Sequence, residues 1–206
     1  MEKSDLTRRE QNRIDAYRAI HRAAYRMTVI EDSEPTVEEI AAEAGVSQRT
    51  FFNYFRSKED AVFGLRSPRL TATQAECLTQ QEVENQLDTV VVVLFGVIRE
   101  SIVDRSAFLE RAKLLKAHAS FRLNISRHIG ACEGVVIESM AVEKGLDPQG
   151  PHYYSSLDER TRAMIILAGS VARYTFITHP DAITKESSEH VRAALEVFRQ
   201  VMKETK

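Results

Sequence analysis

Tryptophan is absent from these 206 residues, and glycine, proline and cysteine number only eight, five and two. A chain so short of turn residues spends little of itself on hairpins, which favours helices over strands. Two isolated cysteines, Cys77 and Cys132, exclude a disulfide framework. Long apolar runs are missing too: the most apolar stretch, residues 90–98, is about half of what a membrane span needs. The first nine residues are charged throughout, unlike a secretory leader. The expectation is a cytoplasmic protein with reduced thiols and no membrane partner, in which the Asn124-Ile125-Ser126 glycosylation triplet is chance. There is no glycine-rich phosphate loop, no nucleophile elbow and no close carboxylate pair on an apolar face. No enzyme chemistry, metal site or cofactor is therefore expected.

An excess of positive charge is also lacking. The net charge is −2 and the pI is near 6.3, which alone argues against a nucleic-acid binder, because phosphate neutralisation needs Lys and Arg. The distribution matters more. Glu31, Asp32, Glu34, Glu38, Glu39 and Glu43 cluster in one stretch, whereas residues 47–58 hold Arg49, Arg56 and Lys58 and no acid.

What is present reads as helix from end to end, with hydrophobic residues at 43%, enough for a core. A first helix over about residues 7–27 places Tyr17, Ile20, Ala24 and Met27 on one stripe. Arg18, Arg22 and Arg26 line a solvated face, and Arg8, Arg9 and Arg13 lie nearer the helix start, where DNA contact is easier. Thr36 and Glu39 form a capping box for a second helix, whose short apolar face is Ile40, Ala41 and Ala44. Gly45 stops it in the left-handed region. Ser47 caps a third helix over residues 48–55, and Ser57 with Asp60 starts a fourth over about 58–66. Ser67-Pro68 marks a domain boundary, giving residues 1–66 and 67–206. Beyond it, Thr79 and Glu82 form another capping box before the apolar run, Ser106 caps a short helix to about 117, and a long helix fills 120–144 until Gly145. Pro148, Gly150 and Pro151 make a loop. Ser156 and Glu159 start the next helix, which ends before His179-Pro180, and an amphipathic helix closes the chain.

The second and third helices meet at the tight Gly45 turn. Small Ala41 lets them cross closely, with Val46 and Phe51 filling the angle: a helix-turn-helix, whose second helix enters the major groove. Phe51 and Phe55, four apart, point to the core. Gln48, Arg49, Phe52, Asn53 and Arg56 then face outward, with Thr50 and Tyr54 on the flanks. Gln, Arg and Asn can each read a base edge with two hydrogen bonds. Hydroxyls, and helix N-termini beginning at Thr36 and Lys58, suit phosphates. Ser47, the cap of the reading helix, stands among the contact candidates, and an exposed Phe52 makes sense against a thymine methyl or a sugar.

The run Thr36-Val37-Glu38-Glu39-Ile40-Ala41-Ala42-Glu43-Ala44-Gly45-Val46-Ser47, then Arg49-Thr50-Phe51-Phe52-Asn53-Tyr54-Phe55, then Ser57-Lys58-Glu59-Asp60, resembles the TetR family of bacterial repressors. The resemblance covers about residues 10–65; the rest is similar only in helix content and length. It implies an all-α chain with an N-terminal three-helix DNA-binding domain and a larger helical domain for effector binding and dimerisation. By position, Thr36 bonds a phosphate, Gln48, Arg49, Thr50 and Asn53 meet bases or backbone, and Tyr54 and Lys58 hold phosphates. Two departures stand out. A small residue is common in the family where Arg49 stands, and Tyr where Phe52 stands. Phe52 lacks the hydroxyl that would meet a phosphate, while Arg49 adds a side chain able to read a base.

The expected partners are a palindromic double-stranded operator, a small-molecule effector and a second copy of the chain. In the long helix, Phe121, Asn124, Ile125, His128, Cys132 and Val136 follow helical spacing as one wall of an effector pocket or as plain core. Phe95, Phe108, Tyr174 and Phe176 are candidates to complete the pocket. For the dimer, Ala168, Gly169 and Ala172 offer a small-residue surface. Val191, Ala194, Leu195, Phe198 and Met202 offer an apolar stripe that would pair with it in a four-helix bundle. Two rivals remain open: a helix-turn-helix adaptor that binds a protein through Phe52 and Tyr54, and an all-α enzyme using His128 and Cys132.

Overall fold

Helical spacing of apolar residues and hydroxyl or carboxylate caps set nearly every element of this chain. The computed structural model describes residues 8–79, 86–105, 108–117, 119–150, 152–185 and 188–204, and among these there are helices and no extended strand. The chain divides into two compact units, Met1–Arg66 and Ser67–Lys206.

In the first unit, α1 (Arg8–Tyr25) buries Tyr17, Ile20 and Ala24, as their spacing predicts. It then widens into a π-helical turn, Arg26–Ile30, so Met27 is only half-buried. His21 is buried on the same helix, and its Nδ1 donates to the Ala61 carbonyl at 2.6 Å. That bond joins α1 to α4 (Lys58–Phe63), against which α1 packs. Between them lie α2 (Val37–Glu43) and α3 (Gln48–Tyr54). The capping box at Thr36 forms in full, Glu39 N–H to Thr36 Oγ1 and Thr36 N–H to Glu39 Oε2. These bonds with Thr36 hold the Glu39 carboxyl below its ordinary pKa. Ser47 and Ser57 cap α3 and α4 with their hydroxyls, accepting from Thr50 and Asp60 N–H. At the α2–α3 turn Gly45 has φ +68, and its N–H bonds Ala42 O while Val46 N–H bonds Ala41 O. This Schellman arrangement satisfies carbonyls that would otherwise be orphaned, and only glycine takes that backbone without strain. Two ends come earlier than the sequence suggests. Phe55 is already extended, and Gly64 at φ +64 stops α4 before Arg66.

The second unit is built around α6 (Gln86–Ser101), which packs on α5 (Ala72–Thr79), α8 (Ala119–Glu143), α10 (Glu159–Thr178) and α11 (Glu189–Glu204). Val90, Val91, Leu94, Val97 and Ile98 are buried along it, each such side chain contributing roughly 1.5–3 kcal/mol. Arg199 pairs with Asp88, linking α11 to α6. The shorter α7 (Phe108–Ala117) lies against α8, and α9 (Tyr153–Ser156) is a single turn that begins at the end of the expected loop.

Two helix starts differ from expectation. Thr79 ends a helix instead of starting one, and its hydroxyl bonds the Glu76 carbonyl. The capping box lies upstream, with Thr71 N–H to Gln74 Oε1 and Gln74 N–H to Thr71 Oγ1; Glu82 and Ser106 lie outside the described residues. Asp158, not Ser156, caps α10, because its carboxylate reaches Thr161 N–H at 2.8 Å and is held well below the usual carboxylate range by Lys144. The segment after His179 forms a 3-10 turn, Pro180–Ile183, that buries Ala182 and Ile183.

Candidate nucleic-acid interface

The outward face of α3 follows from where its core residues point. Phe51 and Phe55 are fully buried, their rings 5.9 Å apart, and Phe55 stacks on Tyr17 of α1 at 4.5 Å. That orientation turns Gln48, Arg49, Asn53 and Arg56 to solvent with Phe52, which is 55% exposed. Thr50 and Tyr54 are half-buried at the flanks. No acidic residue stands in α3. A surface with two guanidiniums, two amides and a bare phenyl ring suits base edges and thymine methyls better than a solvated face needs.

Several candidates already have intramolecular duties. Thr36 Oγ1 accepts from Glu39 N–H and lies 3.0 Å from the Glu39 carboxylate. Ser47 Oγ accepts from Thr50 N–H and lies 2.9 Å from the Thr50 hydroxyl. Lys58 Nζ donates to the Pro35 carbonyl at 3.3 Å, so the start of α4 is pinned to the segment entering α2. These bonds bring Thr36 and Lys58 to one side of the helix-turn-helix, beside the N-termini of two helices.

The residues chosen for an effector pocket separate. Phe95, Phe108, Phe121, Asn124, His128, Cys132 and Val136 are all buried in the core. His128 Nε2 lies 2.6 Å from Ser101 Oγ, whose hydrogen goes to the Ile98 carbonyl, so the ring nitrogen donates. Burial pushes the Cys132 thiol up to about 12. A thiol that stays protonated is no nucleophile and a poor metal ligand, which weighs against chemistry by His128 and Cys132. Tyr174 is half-buried, edge-on to Phe198 at 5.7 Å. Only Ile125 and Phe176 of the set reach the open cleft of this unit. That cleft has a volume of about 700 Å³ and lies between α7, α8, α10 and the 3-10 turn. Its other walls, from Lys113 and Leu115 through Arg122, Ser126 and Ile129 to Arg173, Ile177 and Pro180, were not picked out by sequence. On α8 they form the row Arg122, Ser126 and Ile129, one position round from the apolar stripe, which faces the core.

The dimer candidates also sort by burial. Ala168, Gly169, Ala172, Val191, Ala194 and Leu195 are buried within the chain, leaving little surface for a second copy. Phe198 is half-buried and Met202 exposed. The open apolar side chains on these helices are Ile166 and Ile177 on α10 and Val197, Val201 and Met202 on α11.

One cluster escaped the sequence because its members are joined by a turn. His179, Asp181 and His190 bring ligand atoms within 4.8 Å of one another. The Lys185 ammonium sits among them, 2.7 Å from Asp181 Oδ2 and 3.3 Å from His190 Nε2, and supplies the positive charge such a cluster attracts. No helix among the described residues is long and apolar enough to cross a membrane.

Residues 33–63, the helix-turn-helix and all of α4, match the model of the bacterial regulatory proteins of the tetR family. No curated protein matches the chain.

Proposed function

We propose that this chain, a DNA-binding transcriptional regulator of the tetR family, is a cytoplasmic repressor that holds a palindromic operator as a homodimer and releases it on binding a small molecule. The acid-free, outward face of α3 carries the reading: Gln48, Arg49, Phe52 and Asn53 meet bases, and Thr36, Ser47, Thr50, Tyr54 and Lys58 hold the backbone. One such helix covers only a few base pairs, too few to discriminate within a genome. Two of them about 34–36 Å apart read successive major grooves, and a two-fold dimer supplies that spacing. The cleft in the second unit is the site for the effector, which acts by preferring the dimer conformation whose spacing misfits the operator.

Selection of bound sequences from random duplex DNA tests this directly. The expected result is a near-palindrome with half-sites about one helical turn apart; no enrichment of any duplex sequence would favour an adaptor that docks a protein through Phe52 and Tyr54. On the selected site, Arg49→Ala is expected to cost roughly 1–3 kcal/mol and relax preference at one position. Lys58→Ala weakens all sequences alike and lowers the salt dependence, measured by titration across ionic strength. Wild-type binding by both variants would remove α3 and the start of α4 from the interface.

A further inference from the structure

We propose that His179, Asp181 and His190 bind a divalent transition-metal ion such as zinc, which takes the place of the Lys185 ammonium. The site stands whether or not the cleft holds an effector. Its ligands come from three pieces of chain: His179 caps the end of α10, Asp181 stands in the 3-10 turn, and His190 lies in the first turn of α11. Their ligand atoms lie within 4.8 Å of one another. The ammonium marks the point where a cation sits. It has only donors, so His190 Nε2, 3.3 Å away, accepts from it. That nitrogen aims a lone pair into the cluster and leaves the ring hydrogen on Nδ1, the state a metal-bound imidazole needs. Asp181 Oδ2 meets the same ammonium from 2.7 Å.

The spacing suits a metal. Asp181 Oδ2 and His190 Nε2 are 3.5 Å apart, and around a tetrahedral zinc with bonds of about 2.0–2.2 Å, neighbouring ligand atoms are about 3.3–3.5 Å apart. His179 is exposed and reaches the third position by turning its side chain; water takes the fourth. The backbone beneath is held. Ala182 and Ile183 are buried, Thr184 N–H donates to the Asp181 carbonyl at 3.0 Å, and Arg99 Nη1 on α6 donates to the Lys185 carbonyl at 2.6 Å. The Lys185 side chain is 49% exposed, so it can swing into water on its flexible stem, still protonated. The exchange sets two positive charges beside Asp181 in place of one. Two imidazoles and one carboxylate select zinc, nickel or copper over magnesium and calcium, which favour oxygen ligands.

The test is calorimetric titration of the full chain, first dialysed against a chelator, with zinc chloride and in parallel with magnesium chloride. One zinc ion per chain is expected, with a higher melting temperature and no measurable magnesium binding. His179→Ala/His190→Ala is expected to lose at least about 100-fold in zinc affinity and Asp181→Asn at least about tenfold. Lys185→Gln removes the competing ammonium and is expected to bind zinc about fivefold tighter or more. These positions are exposed or half-buried, so helicity by circular dichroism stays that of the unmodified chain. Cobalt bound in place of zinc is expected to show nitrogen and oxygen ligation without a thiolate charge-transfer band. No zinc binding by the unmodified chain, or undiminished binding by the double variant, would overturn the site. Equal affinity in Lys185→Gln would overturn the exchange and with it the seat of the ion. A thiolate band would assign the ion to Cys77 or Cys132 and overturn the proposal.

Discussion

Glutamates placed together at Ile166 and Val201 are expected to turn a dimer into folded monomers that bind the operator at least about 100-fold more weakly. Both side chains are apolar and open, Ile166 at 60% and Val201 at 57% exposure, so in a lone chain charge there costs little, within about 0.5 kcal/mol for a surface change. In a two-fold interface each substitution is made twice, and like charges are driven into an apolar contact that must lose its water. The loss of affinity follows because a monomer keeps one half-site and gives up the other, which carries a large share of the binding free energy. Sedimentation at micromolar concentration, helicity by circular dichroism and operator titration read the three consequences separately. A variant that still sediments as a dimer would move the interface off these helices. Charge at Ala172, a choice the sequence suggests, does something different. Ala172 is 1% exposed, so a charge there disrupts the packing of α10 on its own neighbours before any partner is involved.

The second large effect separates two adjacent phenylalanines. Phe51→Ala empties a fully buried position that holds Phe55 and Phe52 in place, with ring centroids at 5.9 and 5.4 Å. Such truncations cost about 3–5 kcal/mol, comparable with the whole stability of a unit this small. The expected result is loss of the low-temperature part of the melting curve, early proteolysis within residues 8–66, and no operator binding. Phe52→Ala removes a ring that is mostly in water, so stability should move by about 0.5 kcal/mol or less while operator affinity falls. Equal melting curves for the two variants would mean that the facing of α3 is wrong; equal operator affinity for Phe52→Ala and the unmodified chain would take Phe52 out of the interface.

The helix-turn-helix was legible because its signals are local. A cap hydroxyl, a carboxylate three residues on and a glycine past the end each act within one turn, so Thr36, Glu39, Gly45, Ser47 and Ser57 could be placed from sequence. The same logic misplaced a start at Thr79, since Thr71 with Gln74 and Thr79 with Glu82 look alike on paper, but Thr79 lies inside α5 and its hydroxyl is turned back to the Glu76 carbonyl. Long-range choices were less legible. Small residues at Ala168, Gly169 and Ala172 announce close approach but not to what. At Gly169 the neighbour is in the same chain: a Cβ there would lie 1.7 Å from the Glu133 carboxylate, so the missing side chain makes room for the Glu133–Arg173 pair. The cleft depends on residues from three helices and a turn, and the apolar stripe that sequence assigned to it is the part of α8 that the core needed most.

The three hydroxyl caps of the first unit also bear on the order in which it folds. Thr36, Ser47 and Ser57 each close a loop of only three residues, to Glu39, Thr50 and Asp60. Closing so short a loop loses little chain entropy, and helix–coil relaxation is a matter of about a microsecond or less. The boundaries of α2, α3 and α4 can thus be drawn before any distant contact exists, and collapse has only to dock helices already cut to length. Contacts between sequence neighbours put such a unit among the fast-folding helical domains. Ties across long stretches of chain must wait, among them Tyr17 to Phe55 and His21 to Ala61, forty residues apart, and the second marks the arrival of α1 on α4.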